Sequence, residues 1–224
     1  MGTPAPDCGP PPLRLLIVPG LHDSEAAHWQ TWLQHLHRHG HRVRQDDWDA
    51  PDLAAWSARI DRTLREAAQA HPGAAWAVAA HSFGVLAFVH AWATARQAPT
   101  ADSPLAGRPG WPAIRGVLLV APADPRTFGV EALLPRQPLA RRALLVGSQT
   151  DPWMTVDRAQ HWARLWGAEF HNLGDAGHIN TASGHGPLPL ARRWLMAVEQ
   201  GLARQRHAGG GAGVGEGEGL PRGL

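Results

Sequence analysis

Three short runs of the chain consist only of leucine, isoleucine and valine, namely residues 15–18, 117–120 and 144–146. Such runs suit strands that helices cover on both faces, because neither face then needs polar side chains. Longer amphipathic stretches lie between them, which is the pattern of repeated β-α units around a parallel sheet. The sequence therefore predicts an α/β fold with a mostly parallel sheet and helices on both faces.

The same pattern divides the chain into strands and helices. Predicted strands span residues 13–18, 42–45, 75–79, 114–120, 143–146 and 169–173, and predicted helices span residues 25–39, 52–71, 84–97, 156–166 and 188–204. Residues 98–113 and 121–141 each contain four prolines and are predicted to be long irregular loops. Such loops either cover a substrate or simply extend over the surface, and the sequence favours neither.

Length and composition predict a single domain. A chain of 224 residues is long enough for one sizeable core, which we place at residues 13–204. The Pro-rich residues 1–12 and the Gly-rich residues 205–224 are predicted to be disordered, because neither segment can bury a core. The sequence has no apolar run of the roughly 18 residues that span a membrane, no secretory signal, and only one cysteine, Cys8. We therefore expect a cytoplasmic protein without membrane association.

The high sequence pI of about 9.8 has a simple origin. The chain has no lysine and no tyrosine, so its 21 basic residues are all arginine and its formal charge is only +2. The arginines are scattered, which argues against nucleic-acid binding. Residues 19–22, after the first strand, carry neither a G-x-G-x-x-G pattern nor a Walker lysine, which argues against a nucleotide-binding domain.

A serine flanked by small residues precedes the third predicted helix. Ala80, Ser82 and Gly84 match the nucleophile elbow G-x-S-x-G, with alanine in the first glycine position. The elbow is a tight turn from a strand into a helix, and residues 75–79 and 85–89 supply both elements. The free N–H groups at the start of that helix favour negative charge beside the serine. We interpret Ser82 as a nucleophile; the alternative is a serine that only caps the helix.

A serine nucleophile needs a base, and an acid that holds the base in one tautomer. In this class of fold the acid and then the base follow the serine, each on a loop after a strand. His178 lies after the last predicted strand and is the candidate base, with His185 as its rival. Asp151 follows the preceding strand and is the candidate acid, with Asp124 and Asp175 as competitors.

Two backbone N–H groups are needed to bind the oxyanion of a tetrahedral intermediate. Phe83, directly after the serine, is the first candidate, and Leu21 is the second, because Gly20 permits a turn after the first strand. The alternative for Leu21 is an ordinary strand-exit turn. His81 is expected to point away from Ser82 and to pack or hydrogen-bond locally.

Four alternating histidines suggest a metal site at first sight. These residues lie on both sides of the predicted helix end at Gly40, so they do not share one face, and no acidic residue lies among them. They are His35, His37, His39 and His41. We therefore predict no metal site, and nothing in the sequence implies an organic cofactor.

Several of these motifs together resemble one family. They lie at residues 18–20, 28–29, 80–84, 147–152 and 177–178, within a similarity that runs from about residue 13 to residue 202. The chain resembles the small serine hydrolases of the retinoblastoma-binding-protein-nine type and their bacterial relatives, which are predicted esterases. The resemblance implies a compact α/β-hydrolase without a large cap domain, carboxylesterase-like activity and a catalytic triad of Ser82, Asp151 and His178. The retinoblastoma-binding motif Leu-x-Cys-x-Glu is absent from the sequence, so that partner is not implied.

The sequence thus predicts a serine hydrolase that cleaves a small carboxylic ester, or less readily an amide, through an acyl-serine intermediate. Its expected partner is a small-molecule substrate and not a nucleic acid or a membrane. The alternative is a catalytically silent hydrolase fold that acts as a protein-binding module. Trp48, Phe128 and Trp153 are candidates to line an apolar substrate pocket.

Overall fold

The fold is described from a computed structural model that places residues 12–96, 110–139 and 142–210. Its strands are β1 Arg14–Val18, β2 Gly40–Arg42, β3 Ala75–His81, β4 Ala113–Val120, β5 Ala143–Gly147 and β6 Glu169–Asn172. Its helices are α1 Trp29–Leu36, α2 Leu53–Ala70, α3 Phe83–Arg96, α4 Val156–Leu165 and α5 Pro189–Gly210, with short 3₁₀ helices at Glu131–Leu133 and Thr181–Ser183.

The strands form one parallel sheet in the order β2-β1-β3-β4-β5-β6. Alternate residues of β1, β3, β4 and β5 enter two apolar layers. Leu16 and Val18 of β1 face a layer that contains side chains of α2, α3 and α4. Leu15 and Ile17 face the opposite layer, which contains side chains of α1 and α5. The predicted fold class, a parallel sheet with helices on both faces, is confirmed.

Element ends differ from the predicted ones for local reasons. The predicted helix at residues 25–39 begins only at Trp29, where the His28 imidazole accepts the backbone N–H of Gln30 and caps the helix. Strand β2, at the edge of the sheet, covers residues 40–42 instead of 42–45, because residues 40–42 are the ones that pair with β1. Helix α5 continues to Gly210, past the predicted end at residue 204.

Several predictions concern residues outside the described part of the chain. These include most of the proline-rich loop at 98–113 and the ends at 1–11 and 211–224. The second proline-rich loop is described up to residue 139 and includes the 3₁₀ helix Glu131–Leu133. None of the described helices is both long enough and apolar enough to cross a membrane.

The topology brings three loops to one edge of the sheet. Because every strand pairing is parallel, the carboxyl ends of β3, β5 and β6 lie on the same side. The chain also changes direction across the sheet here, since β2 lies on one side of β1 and β3 on the other. Ligands bind at such a point in open parallel sheets.

Candidate active site

Ser82 forms a one-residue turn between β3 and α3. The strand ends at His81, the helix begins at Phe83, and Ser82 itself has a positive φ of 53°. A non-glycine residue in this region costs on the order of 1–3 kcal/mol and persists where the surroundings enforce it. The turn therefore presents the serine at the sheet edge through a strained backbone, as a nucleophile elbow does.

Two glycines allow the backbone to approach this turn. A Cβ added at Gly84 would lie 2.1 Å from the carbonyl oxygen of Pro19, and one added at Gly20 would lie 2.6 Å from the Ser82 Cβ. Both separations are too short for real carbon atoms. The loop after β1 thus lies directly against the serine turn, and the glycine at position 84 of the motif has a steric reason.

A continuous chain of hydrogen bonds joins Ser82, His178 and Asp151. The distance from Ser82 Oγ to His178 Nε2 is 2.8 Å, and His178 Nδ1 lies 2.9 Å and 3.0 Å from the two carboxylate oxygens of Asp151. The side chains of His178 and Asp151 are only 8% and 3% exposed. The carboxylate can only accept, so Nδ1 carries a hydrogen and a neutral His178 leaves its Nε2 lone pair for the serine hydroxyl.

The competing aspartates have other partners. Asp124 forms a two-pronged ion pair with Arg158, with nitrogen–oxygen distances of 2.5 Å and 2.7 Å, and accepts the Arg126 backbone N–H. Burial alone would raise the pKa of Asp124, but the hydrogen bonds from Arg158 and Arg126 outweigh it and lower the pKa. Asp175 accepts the Thr150 hydroxyl at 2.7 Å. Neither carboxylate is the one bonded to His178.

Of the two histidines that the sequence offered as the base, only one is bonded to Ser82. His185 lies beyond the 3₁₀ helix Thr181–Ser183, and its backbone N–H donates to the carbonyl oxygen of Asn180. The Ser82 hydroxyl forms its hydrogen bond with Nε2 of His178.

Comparison with family models matches residues 15–197 to the family described as serine hydrolase. That match covers most of the chain and includes the serine turn and both loops that carry its partners. The chain belongs to the serine hydrolase family.

Solved structures with the same fold support this assignment. A protein from Pectobacterium atrosepticum described as a YdeN-like hydrolase is 33% identical, with 84% of this chain and 91% of that chain covered and a TM-score of 0.69. The ydeN gene product of B. subtilis is 16% identical, with 84% and 98% covered and a TM-score of 0.62. Esterase 2 of Thermogutta terrifontis is also 16% identical, with 86% of each chain covered and a TM-score of 0.56. The last two show the shared fold alone. A search of curated proteins gave no match.

In this serine hydrolase, two side-chain hydroxyl groups connect the loop that carries Asp151 to the loop that carries His178. Ser148 Oγ donates to the carbonyl oxygen of Gly174 and accepts the backbone N–H of Ala176. Thr150 Oγ1 donates to Asp175 and accepts the backbone N–H of Gly177. The two loops therefore form one unit, and Asp151 and His178 are held at a fixed separation. The roles of Ser148 and Thr150 were not predicted from the sequence, although both residues lie in the motif after β5.

The two predicted oxyanion donors lie next to Ser82 in the chain and in the loop after β1, respectively. Phe83 is the first residue of α3, so its N–H has no acceptor within the helix. Leu21 lies in the loop that Gly20 brings against Ser82, and the next residue, His22, donates its N–H to the carbonyl oxygen of Trp48. Their role as oxyanion donors stays a prediction.

The three aromatic candidates for a substrate pocket separate into two groups. Phe128 contacts Phe83 with a ring-centroid distance of 4.9 Å, and Trp48 joins the same cluster through Trp56, which lies 5.1 Å from Phe83. Trp153 lies elsewhere, 6.1 Å from the His178 ring, and is 45% exposed. It lines a cleft of about 570 Å³ beside His178.

Three histidines form a buried row that the sequence analysis did not foresee. The ring centroids of His28 and His81 are 4.9 Å apart, and those of His81 and His178 are also 4.9 Å apart. His81 was expected to bond locally, but its Nε2 lies 3.0 Å from the carbonyl oxygen of His178, on a loop far along the chain. A histidine at the end of a fully buried strand was the one sequence signal for this contact.

The buried row predicts loss of stability in mild acid. Burial lowers the pKa of His28 to about 4 and that of His81 well below its usual value. An unfolded histidine has a pKa near 6.5, so between about pH 6.5 and 4 the unfolded chain binds more protons. The stabilisation is complete above that window and is lost as the pH falls, by up to about 1.4 kcal/mol per pH unit for each histidine.

Urea unfolding at pH 7, 6 and 5 measures this effect. We expect the free energy of unfolding to fall through the series, and to fall less steeply in a His28→Asn variant, whose amide oxygen can still cap α1. A free energy that stays constant from pH 7 to 5 would contradict the prediction.

Proposed function

We propose that this serine hydrolase cleaves a small carboxylic ester through an acyl-serine intermediate, with Ser82 as nucleophile, His178 as base and Asp151 as the acid that orients it. The observation that carries the proposal is the unbroken hydrogen-bond chain from Ser82 Oγ through both ring nitrogens of His178 to the Asp151 carboxylate. This arrangement suits catalysis by serine, because the serine hydroxyl is a weak nucleophile until a base takes its proton.

In the first half of the reaction His178 Nε2 accepts the proton of Ser82 as Oγ attacks the carbonyl carbon. The negative charge that develops on the carbonyl oxygen is bound by the N–H groups of Phe83 and Leu21. The bond to the alcohol then breaks, and His178 donates its proton to the departing oxygen. The products of this half are a free alcohol and an acylated Ser82.

In the second half water replaces the alcohol. His178 takes a proton from the water as its oxygen attacks the acyl carbon, and the bond to Ser82 Oγ breaks as the proton passes back to the serine. A carboxylic acid leaves and the starting state returns. Asp151 keeps its charge throughout and stabilises the imidazolium that forms twice in each cycle.

The surroundings of Ser82 favour an apolar substrate. Leu21 and Phe128 are partly exposed and pack against the apolar cluster that contains Phe83, and the Trp153 ring lies 6.1 Å from that of His178. Thermogutta terrifontis esterase 2, which shares the fold, is described as phosphoramylated by tabun. An organophosphorus reagent is therefore a rational probe for this chain as well.

A fluorophosphonate probe tests the proposal directly. We expect it to label the protein with one probe per chain, and peptide mapping to locate the label on Ser82, because its histidine partner is bonded in turn to the Asp151 carboxylate. A panel of esters of graded acyl length, together with matched amides, measures the reaction itself. Intact, folded protein that neither reacts with the probe nor turns over any ester would favour the alternative of a silent protein-binding module.

A further inference from the structure

Behind the base lies a second histidine that the reaction does not use. His81 is the last residue of β3 and only 5% exposed. Its Nε2 lies 3.0 Å from the carbonyl oxygen of His178. A carbonyl oxygen can only accept, so Nε2 carries the hydrogen and His81 donates. The bond links the residue before the nucleophile to the backbone of the residue that activates it.

The loop around His178 has a strained backbone that needs such support. Gly177 and Ile179, on either side of the base, have positive φ values of 53° and 48°. A β-branched residue at positive φ is a genuine outlier, and it persists only where neighbouring contacts enforce it. Relaxation of Ile179 to negative φ would rotate the peptide unit that carries the His178 carbonyl.

That peptide unit is held from both sides. The N–H of Ile179 donates to the carbonyl oxygen of Ala176, and the carbonyl oxygen of His178 accepts from His81. The preceding peptide is held as well, since the backbone N–H of His178 donates to Ser183 Oγ at 3.0 Å. Of these bonds, the one from His81 joins the loop directly to the end of β3, next to Ser82, and so links the position of the base to that of the nucleophile.

We propose that His81 is a positioning residue, which holds the strained His178–Ile179 peptide and thereby aims the His178 imidazole at Ser82 Oγ. The inference rests on the proposed function of His178 as the base. A misplacement of about 1 Å at a reacting group can cost on the order of a hundredfold in rate, so a donor at this position acts on kcat although it touches no substrate.

The environment of His81 suits a donor that carries no charge. Its ring packs against those of His28, Trp29 and His178. Burial, followed by the nearby His178 and His28, lowers the pKa of His81 and keeps the ring neutral. An arginine or lysine here would donate equally well, but its positive charge would oppose the His178 imidazolium that forms during the reaction.

A pair of amide variants separates the donor from the mere bulk of the ring. His81→Gln carries an N–H as many bonds from Cβ as the histidine Nε2, whereas His81→Asn is one bond too short to reach. We expect His81→Gln to keep kcat within about threefold. We expect His81→Asn and His81→Leu to lose between about tenfold and a hundredfold in kcat, with KM changed by less than about threefold. His28→Asn is the matched control from the same buried row, and its kcat should stay within about twofold, because its imidazole serves the cap of α1.

Nuclear magnetic resonance gives a readout that does not depend on turnover. In ¹⁵N-labelled wild-type protein, His81 should show the tautomer with hydrogen on Nε2. In a Ser82→Ala background the Nδ1 proton of His178, which is bonded to Asp151, should remain sharp with His81→Gln and broaden or disappear with His81→Asn. These spectra test His81 even if the wild type turned over no ester, an outcome that would count against the proposed function alone.

Three results would overturn the inference. The first is wild-type kcat in folded His81→Asn and His81→Leu, and the second is an equal loss in His81→Gln. The third needs no variant and applies even if every substitution unfolds the chain: a wild-type His81 with its hydrogen on Nδ1 cannot donate to the His178 carbonyl.

Discussion

Replacing Ser82 by alanine is expected to lower kcat by at least about ten-thousandfold, the largest effect that we foresee for one substitution. Ser82 Oγ is the atom that lies 2.8 Å from His178 Nε2, and alanine removes it while keeping the Cβ beside Gly20. The turn should therefore keep its shape, and the melting temperature should change by only a few degrees. Steady-state turnover of an activated ester and a thermal melt measure both quantities.

Ser57→Ala is the matched control for this loss. Ser57 is also a buried serine, but its hydroxyl bonds to the carbonyl oxygens of Leu53 and Ala87 and to His90, in the layer between α2 and α3. We expect its kcat to stay within about twofold. Ser82→Ala protein that still turns over ester at more than a hundredth of the wild-type rate would mean that another residue is the nucleophile.

The serine turn could be predicted from sequence because its determinants are local. An apolar strand, a turn of small residues and an apolar helix follow one another within residues 75–89. The close approach of Pro19 to Gly84 explains why the motif needs a glycine at that position. The apolar runs were equally informative about the sheet, since the strands that contain them, β1, β4 and β5, bury side chains in both layers of helices.

The supporting contacts could not be predicted, because they join residues far apart in the chain. The bond from His81 to the His178 carbonyl spans 97 positions, and those from Ser148 and Thr150 to the base loop span 25 to 28. No periodicity or local motif encodes such pairs. The late start of α1 has a different cause: the His28 imidazole accepts the Gln30 N–H and caps the helix there, and amphipathic spacing does not register such a cap.

Asp151→Asn is expected to lower kcat by at least about a hundredfold, while Asp124→Asn and Asp175→Asn should lower it by less than about tenfold. An asparagine at 151 can donate to the histidine, which favours the wrong tautomer and leaves the imidazolium without a counter-charge. The Asp151 carboxylate also accepts the backbone N–H of Trp153 at 2.9 Å, so the loop should keep its fold in the variant. One activated ester, with active sites titrated by the fluorophosphonate, measures all three proteins on the same scale.

The Asp124→Asn and Asp175→Asn variants should lose less kcat, because these carboxylates bond to other residues and not to the base. The Asp124 carboxylate is paired with Arg158. In an asparagine variant the backbone N–H of residue 124 would still donate to the carbonyl oxygen of Trp153. At position 175 an asparagine oxygen could still accept the Thr150 hydroxyl. Both variants should therefore lower the melting temperature more than they lower kcat, and Asp151→Asn should do the reverse. A hundredfold loss in Asp124→Asn with little change in Asp151→Asn would transfer the role of the acid to Asp124, a position after β4 that some α/β-hydrolases use.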